Sequence, residues 1–302
     1  KSIVDMKSRW LTNIGLLVLV LITLVYSWTI FQKEPVNSAK FELTKFKLSD
    51  FDELKIDFPS KISTHFKIID SHWRMISPHK ARADQLYVYR ILSILATSSL
   101  EKLSSDDLSK YGLDQPSLKI TFLGNKLEEV ILFGTYNPIN EDQYVLYNNN
   151  VFLISGGFSE TASFMPVELI EKNPIAKSEK IKSFDFSRLE QWQDSRLKLN
   201  YTNGIWNVKG KNLSIVQADV NEWYEMTWKN IPAKSVEPYK MNERLGFKSF
   251  DIVLNNKKLT FYRIQESPEL LLFRKDEGLL YHFPSDLGFT MLNPHVQQKE
   301  EK

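Results

Sequence analysis

The sequence predicts an α+β protein: one N-terminal transmembrane helix, then two tandem, similar units of antiparallel sheet, each with one main helix. Three observations predict it. The run Leu11 to Phe31 carries no charged side chain. The remainder of the 302-residue chain alternates short β-like stretches with turn signals. The order of those signals occurs twice, and internal repetition outweighs local propensity because recurring units bury the same faces.

Residues 1–9, with Lys1, Lys7 and Arg9 against Asp5, read as a short cytoplasmic N-terminus. Residues 10–31 read as the transmembrane anchor. At about 1.5 Å per residue, roughly 20 apolar residues cross the ~30 Å hydrocarbon core. Trp10 and Trp28 stand near the two ends, where indole rings favour the interface. A buried soluble helix would show polar positions every third or fourth residue, and this run shows almost none. A cleaved signal would have a shorter apolar stretch and a small-residue site, whereas Tyr26-Ser27-Trp28 is bulky. A very short N-terminus ahead of a long domain is the signal-anchor layout. The domain is therefore expected on the extracytoplasmic side of the membrane.

Residues 32–40 read as a polar linker, and 41–172 as the first unit. It passes Phe46-Lys47-Leu48-Ser49-Asp50-Phe51 and a Trp73-bearing strand, then enters a helix at Ala83-Asp84. Asp84 is a candidate N-cap, since a short carboxylate accepts from exposed backbone N–H groups. The apolar-periodic stretch to Leu103 predicts a long helix, with Leu86, Val88, Tyr89, Ile91, Leu92, Ile94, Leu95 and Leu100 on a broad buried face. Tyr111-Gly112-Leu113-Asp114-Gln115-Pro116 makes a turn. Strands Leu118–Phe122, Glu129–Phe133, Gln143–Tyr147 and Val151–Ile154 follow.

The second unit, 173–290, repeats the order. Phe184-Asp185-Phe186-Ser187-Arg188-Leu189 opens it, and Leu197–Tyr201 turns at Asn203-Gly204, a type I′ hairpin signal, into a strand bearing Trp206. Ala218-Asp219 opens a helix, with Asp219 as the candidate cap. Arg244-Leu245-Gly246 stands where the first unit has Tyr-Gly-Leu. Strands Phe250–Leu254, Lys258–Arg263, Leu270–Arg274 and Leu279–Phe283 close it. Residues 291–302 read as a flexible tail.

Composition narrows the chemistry. A 42% hydrophobic, 25% charged chain builds an ordinary core, and a net charge of +2 gives no field for nucleic acid. Cysteine is absent, which removes thiol nucleophiles, zinc thiolates, iron–sulfur clusters, disulfides and a lipoprotein anchor. No phosphate-binding glycine loop, nucleophile elbow or H-E-x-x-H motif occurs. His65, His72 and His79 recur every seven residues, but Pro78 argues against one helix that would align them. Asp106-Asp107 and Glu128-Glu129 are adjacent in sequence and point apart, unlike a catalytic carboxyl pair. Trp192, Trp206, Trp223 and Trp228 cluster in the second unit. Buried they are core, and exposed they could stack on a sugar. No catalytic residue, metal ligand or cofactor-binding residue is predicted, and no cofactor.

Trp73 followed by Pro78, Ala83-Asp84 opening a helix, the Tyr111-Gly112-Leu113-x-x-Pro116 turn, Leu132-Phe133-Gly134, Tyr144-Val145 and Val151–Ile154 together resemble the bacterial domain of unknown function 4340. The resemblance runs roughly from Phe46 to Phe283. It implies an auxiliary envelope subunit accompanying ABC-2-type exporters of the gliding-motility kind, with an N-terminal membrane helix. The expected function is therefore a non-catalytic, membrane-anchored accessory subunit. It would contact lipid through its helix, and an ABC permease or related auxiliary membrane protein through protein–protein contacts. The alternative is an envelope module that binds glycan or cell-wall polymer through the second-unit tryptophans.

Overall fold

The computed structural model describes residues 2–31, 40–155, 157–255 and 257–298. Most of the linker, residues 32–39, and the last residues of the tail, 299–302, lie outside the described residues. The N-terminal helix α1 spans Ser2–Phe31. Its side chains are described over Ile14–Trp28, and all of them are exposed. Among the described residues no helix is long and apolar enough to cross a membrane. That described stretch covers only about 22 Å of axis at 1.5 Å per residue.

The first unit contains β1 (Phe51–Asp57), β2 (Thr64–Ile69), β3 (His72–Ser77), β4 (Ala81–Arg82) and α2 (Gln85–Leu92). Next come β5 (Lys102–Leu103), β6 (Leu118–Gly124), β7 (Leu127–Tyr136), β8 (Gln143–Tyr147), β9 (Asn150–Ile154) and the short α3 (Phe158–Ala162). The second has β10 (Ile181–Asp185), β11 (Lys198–Thr202), β12 (Ile205–Lys209), β13 (Leu213–Ile215) and α4 (Gln217–Tyr224). It ends with β14 (Ser235–Pro238), β15 (Lys248–Leu254), β16 (Lys258–Gln265), β17 (Glu269–Arg274), β18 (Leu279–Pro284), α5 (Ser285–Leu292) and β19 (Val296–Gln298).

The first sheet runs β4-β3-β2-β1-β6-β7-β8-β9-β5, and the second β12-β11-β10-β15-β16-β17-β18-β14. Without β4 the two orders correspond strand for strand, and all the pairings are antiparallel. The likeness extends to detail. The short helical turn before each central meander ends in a left-handed glycine, Gly112 at φ +63° and Gly246 at φ +62°, a conformation only glycine adopts without cost. In the first unit Ala83 bridges Ile170; in the second β13 pairs with β19. The segment after each unit's last helix thus returns beside the strand that enters its main helix.

Strand alternation gives each sheet one apolar face. Leu54, Ile56, Phe66, Ile120, Phe122, Ile131 and Phe133 bury against Val88, Ile91 and Leu92 of α2 in a single cluster. The cluster continues without interruption into the second unit.

Several expectations need correction. The first helix stops at Leu92, not near Leu103, and a tighter turn, Ser93–Ala96, ends it. The Ser98–Ser99 pair leaves the helix to join Phe41–Glu42, and the Ser99 hydroxyl donates to Leu153 O at 2.7 Å. Serine competes with helical bonding in this way. Leu86, Tyr89 and Leu100, expected in the core, are exposed. Asp84 does cap α2, accepting from Leu86 N and Tyr87 N, but Asp219 does not cap α4. The position before Gln217 is Val216, and Asp219 sits in the first turn, where its charge suits the helix dipole. The boundary at 290 cuts through α5, and residues 291–298, expected as tail, finish α5 and form β19.

Candidate functional site

A groove opens at the β4 end of the first sheet. Arg74 and Arg82 stand opposite each other in the β3–β4 ladder, so their side chains share one face. Trp73 and Met75 alternate to the other face and are buried in the core. The connector Glu171–Glu179 forms the opposite wall, and the start of α2 closes one end. The groove holds about 650 Å³. Its lining is mainly apolar, including Ile69, Ala83, Leu86 and Ala176.

The ladder position beside the groove is closed by a side chain. Gln85, the first residue of α2, accepts from Trp73 N at 3.0 Å and donates to Trp73 O at 3.0 Å. Its amide thus imitates a neighbouring strand. The second unit repeats the device: Gln217 accepts from Trp206 N at 3.0 Å and donates to Trp206 O.

At the floor of the groove Arg82 reaches into the second unit. Its Nε donates to Glu277 Oε1 at 2.6 Å, and its Nη2 donates to Asn173 O at 2.7 Å and to the Tyr281 hydroxyl at 3.0 Å. Tyr281 donates to Glu277 Oε2 at 2.7 Å. Arg274, 1% exposed, donates to Pro174 O at 2.6 Å and lies 3.3 Å from Glu277. Burial alone would raise the Glu277 carboxyl, but Arg82 and Arg274 outweigh it and hold the pKa below the usual range. Burial pushes the Tyr281 phenol well above its usual range.

Two guanidinium nitrogens on this face, Arg74 Nε and Arg82 Nη1, are shielded from solvent and have no partner among the described residues. The wall carboxylates are mostly engaged. Asp84 caps α2, Glu171 accepts from Asn173 N at 2.9 Å, and Glu179 accepts from Ala176 N at 3.0 Å and pairs with Lys257. Neither Arg74 nor Arg82 stands out in the sequence. The signal lies in the alternation along His72–Ser77, which sets Arg74 opposite in sense to Trp73 and Met75. Nothing in the sequence places the connector that completes the groove.

The second-unit tryptophans form a different arrangement. Trp206, Trp223 and Trp228 are 1%, 1% and 3% exposed, and Trp192 is half-buried. Trp223 Nε1 donates to Thr290 O at 2.7 Å, Trp228 Nε1 to Met291 O at 3.0 Å and Trp192 Nε1 to Leu292 O at 2.9 Å. Three indoles thus donate to three successive carbonyls at the C-terminus of α5, the first of which also accepts from Asn293 N at 3.2 Å. Helix α4 continues as a π-turn, Glu225–Lys229. At α spacing residues five apart diverge by roughly 140°, whereas the wider π-turn brings Trp223 and Trp228 to one face. Phe184 packs on both rings, with centroids at 5.1 and 5.5 Å.

The remaining candidates are dispersed. His65 lies in β2, 2.9 Å from Glu53, while His72 starts β3 and His79 follows it. No cluster of metal-binding side chains occurs among the described residues. Asp107 caps the turn at Leu108–Tyr111, and Glu129 accepts from the Tyr147 hydroxyl at 2.8 Å.

A family model described as a domain of unknown function, DUF4340, matches residues 73–266. No curated protein matches, and no solved structure does.

Proposed function

This chain belongs to the DUF4340 family, and on that premise we propose that it is a single-pass, non-catalytic accessory subunit of an ABC-type transport complex in the bacterial inner membrane. The observation that carries the membrane half of the reading is the surface of α1. From Ile14 to Trp28 its large apolar side chains are 39% to 67% exposed. An apolar surface of that extent is covered in the working protein by lipid or by another helix. The charge-free run Leu11–Phe31 lies wholly inside α1. At 1.5 Å per residue it measures about 30 Å, the thickness of the hydrocarbon core. The domain from residue 40 onward is assigned to the extracytoplasmic side.

The accessory half rests on the resemblance and on the fold. Two sheets of the same design, tied to a membrane helix, offer broad surfaces for a permease or a second anchored subunit. Contact by strand addition beside Trp73 and Trp206 is disfavoured, because Gln85 and Gln217 already occupy those ladder groups. Partner recognition is assigned to side-chain surfaces and to α1. The glycan-binding reading relied on exposed tryptophan faces, and Trp223 and Trp228 offer none.

Purification of the intact chain in mild detergent tests the reading, alongside a version with residues 1–31 replaced by a secretion signal. Co-purifying ABC permease or ATPase subunits are the expected result. Their persistence without α1 assigns the contact to the domain, and their loss assigns it to the helix. Recovery of the chain alone, retained on cell-wall polymer, overturns it. Topology has a clean assay because the chain has no cysteine. A single Ser60→Cys at an exposed turn should react with a membrane-impermeant maleimide in intact spheroplasts, and protection until lysis would reverse the assigned side.

A further inference from the structure

We infer that the groove between β3–β4 and the connector Glu171–Glu179 is a binding site for a small organic monoanion: an apolar or aromatic body carrying one carboxylate. The inference stands apart from the membrane reading, since no residue of α1 lines the groove.

Four observations converge. The volume, about 650 Å³, is that of a small-molecule site, and the lining is mainly apolar. Arg74 lines the groove, half-buried, and its guanidinium makes no hydrogen bond or ion pair among the described residues. A half-buried guanidinium without a partner favours a carboxylate, the acceptor whose planar geometry it matches. The neighbouring carboxylates do not fill the role. Asp84, Glu171 and Glu179 are held by backbone N–H groups, and Asp70 sits exposed at the β2–β3 turn.

The same surroundings set the ligand's charge and size. Four carboxylates near the wall repel a dianion such as a phosphate monoester more strongly than a monoanion, and Arg74, with Lys177 on the facing connector, supplies the local positive charge for a single carboxylate. An extended peptide finds no ladder to join, because Gln85 holds both backbone groups of Trp73. Recognition by side chains and a buried charge favours a compact ligand over a strand. The second unit has no equivalent: Asn207 follows Trp206 where Arg74 follows Trp73.

Isothermal titration of the full chain in a non-ionic detergent, with detergent-only blanks, provides the test. The probes are phenylacetate, 4-phenylbutyrate and octanoate, each paired with its uncharged amide. At least one carboxylate should bind saturably with a sub-millimolar Kd, and its amide should bind about tenfold or more weakly. Arg74→Gln, which keeps the length of the stem, should weaken the carboxylate to the level of the amide. Leu86→Asp, at an exposed position that tolerates charge, should also weaken it by about tenfold through repulsion. Arg82 is left intact because it also holds the two units together. Equal affinity for acid and amide, unchanged binding by a folded Arg74→Gln protein, or no saturable binding of any carboxylate below about 5 mM would each overturn the assignment.

Discussion

Arg82 is the residue on which the groove and the junction between the units both depend. Its charge is buried and shared among Glu277, the Tyr281 hydroxyl and the carbonyl of Asn173. Replacing it by methionine keeps the stem's packing but removes the main partner of Glu277. Breaking a buried pair from one side costs about 3 kcal/mol, the low end of the usual range, because Arg274 remains nearby. Urea denaturation of Arg82→Met should show that loss. The same carboxyl imposes a pH dependence. Its pKa is depressed in the folded protein relative to the ordinary 4.5, so its stabilisation is present above that value and disappears as pH falls through the folded pKa. Asp251, which Arg188, Lys258 and Thr260 hold against the opposing effect of burial, titrates in the same direction. The melting temperature should be level between about pH 7 and 5 and fall below about pH 4.5. Glu277→Gln should be less stable at neutrality and show a shallower acid slope. An unchanged slope would mean that Glu277 is not held ionised by the junction.

At the scale of elements, the two Trp–Gln clamps finish strands that would otherwise end a sheet with open donors and acceptors. Gln85→Ala should cost about 1–3 kcal/mol, because it leaves Trp73 N without its acceptor and Trp73 O with only the longer bond from Ala83 N at 3.3 Å. Amide exchange at Trp73 should quicken while exchange at Trp206 stays as it is, and Gln217→Ala should do the reverse. Trp223→Phe keeps an aromatic ring in place but removes one of the two donors to Thr290 O, leaving Asn293 N at 3.2 Å, so it should loosen the last turn of α5 before it affects the sheet. Strands are the legible part of the sequence. Asn203-Gly204 announces the β11–β12 hairpin, and the structure gives both residues the positive φ such a turn requires. Helix ends are less legible. The apolar periodicity of α2 runs on through Ile94, Leu95 and Leu100, yet the hydroxyl of Ser99 and a partner strand far away in sequence decide where the helix stops. The π-turn after α4 has no local signature, because its reason is the placement of Trp228 on carbonyls of α5.

Over the whole molecule, the repeat is readable because each half carries the same signals in the same order, whereas the groove is not, because it is made by a connector folding back on a hairpin. That connector also determines how the two units respond to stress. Pro174 and Ile175 are buried, Ala233 N donates to Lys172 O at 2.9 Å, and Arg274 and Arg82 grip the carbonyls of residues 173 and 174. One apolar cluster passes through the junction. Units coupled in this way share the cost of opening, so neither gains by unfolding first. Hydrogen exchange under increasing urea, read on peptides from residues 118–136 and 248–265, should give one midpoint for both. Arg82→Met removes the charged tie but leaves each sheet's own core intact. Its two sets of peptides should therefore separate, and the separation should reach the whole of each sheet, not only the strands beside the junction. Two midpoints in the unmodified chain would show that the buried connector joins the units without coupling them. One midpoint in both proteins would assign the coupling to the apolar cluster and leave the Arg82–Glu277 pair a local role.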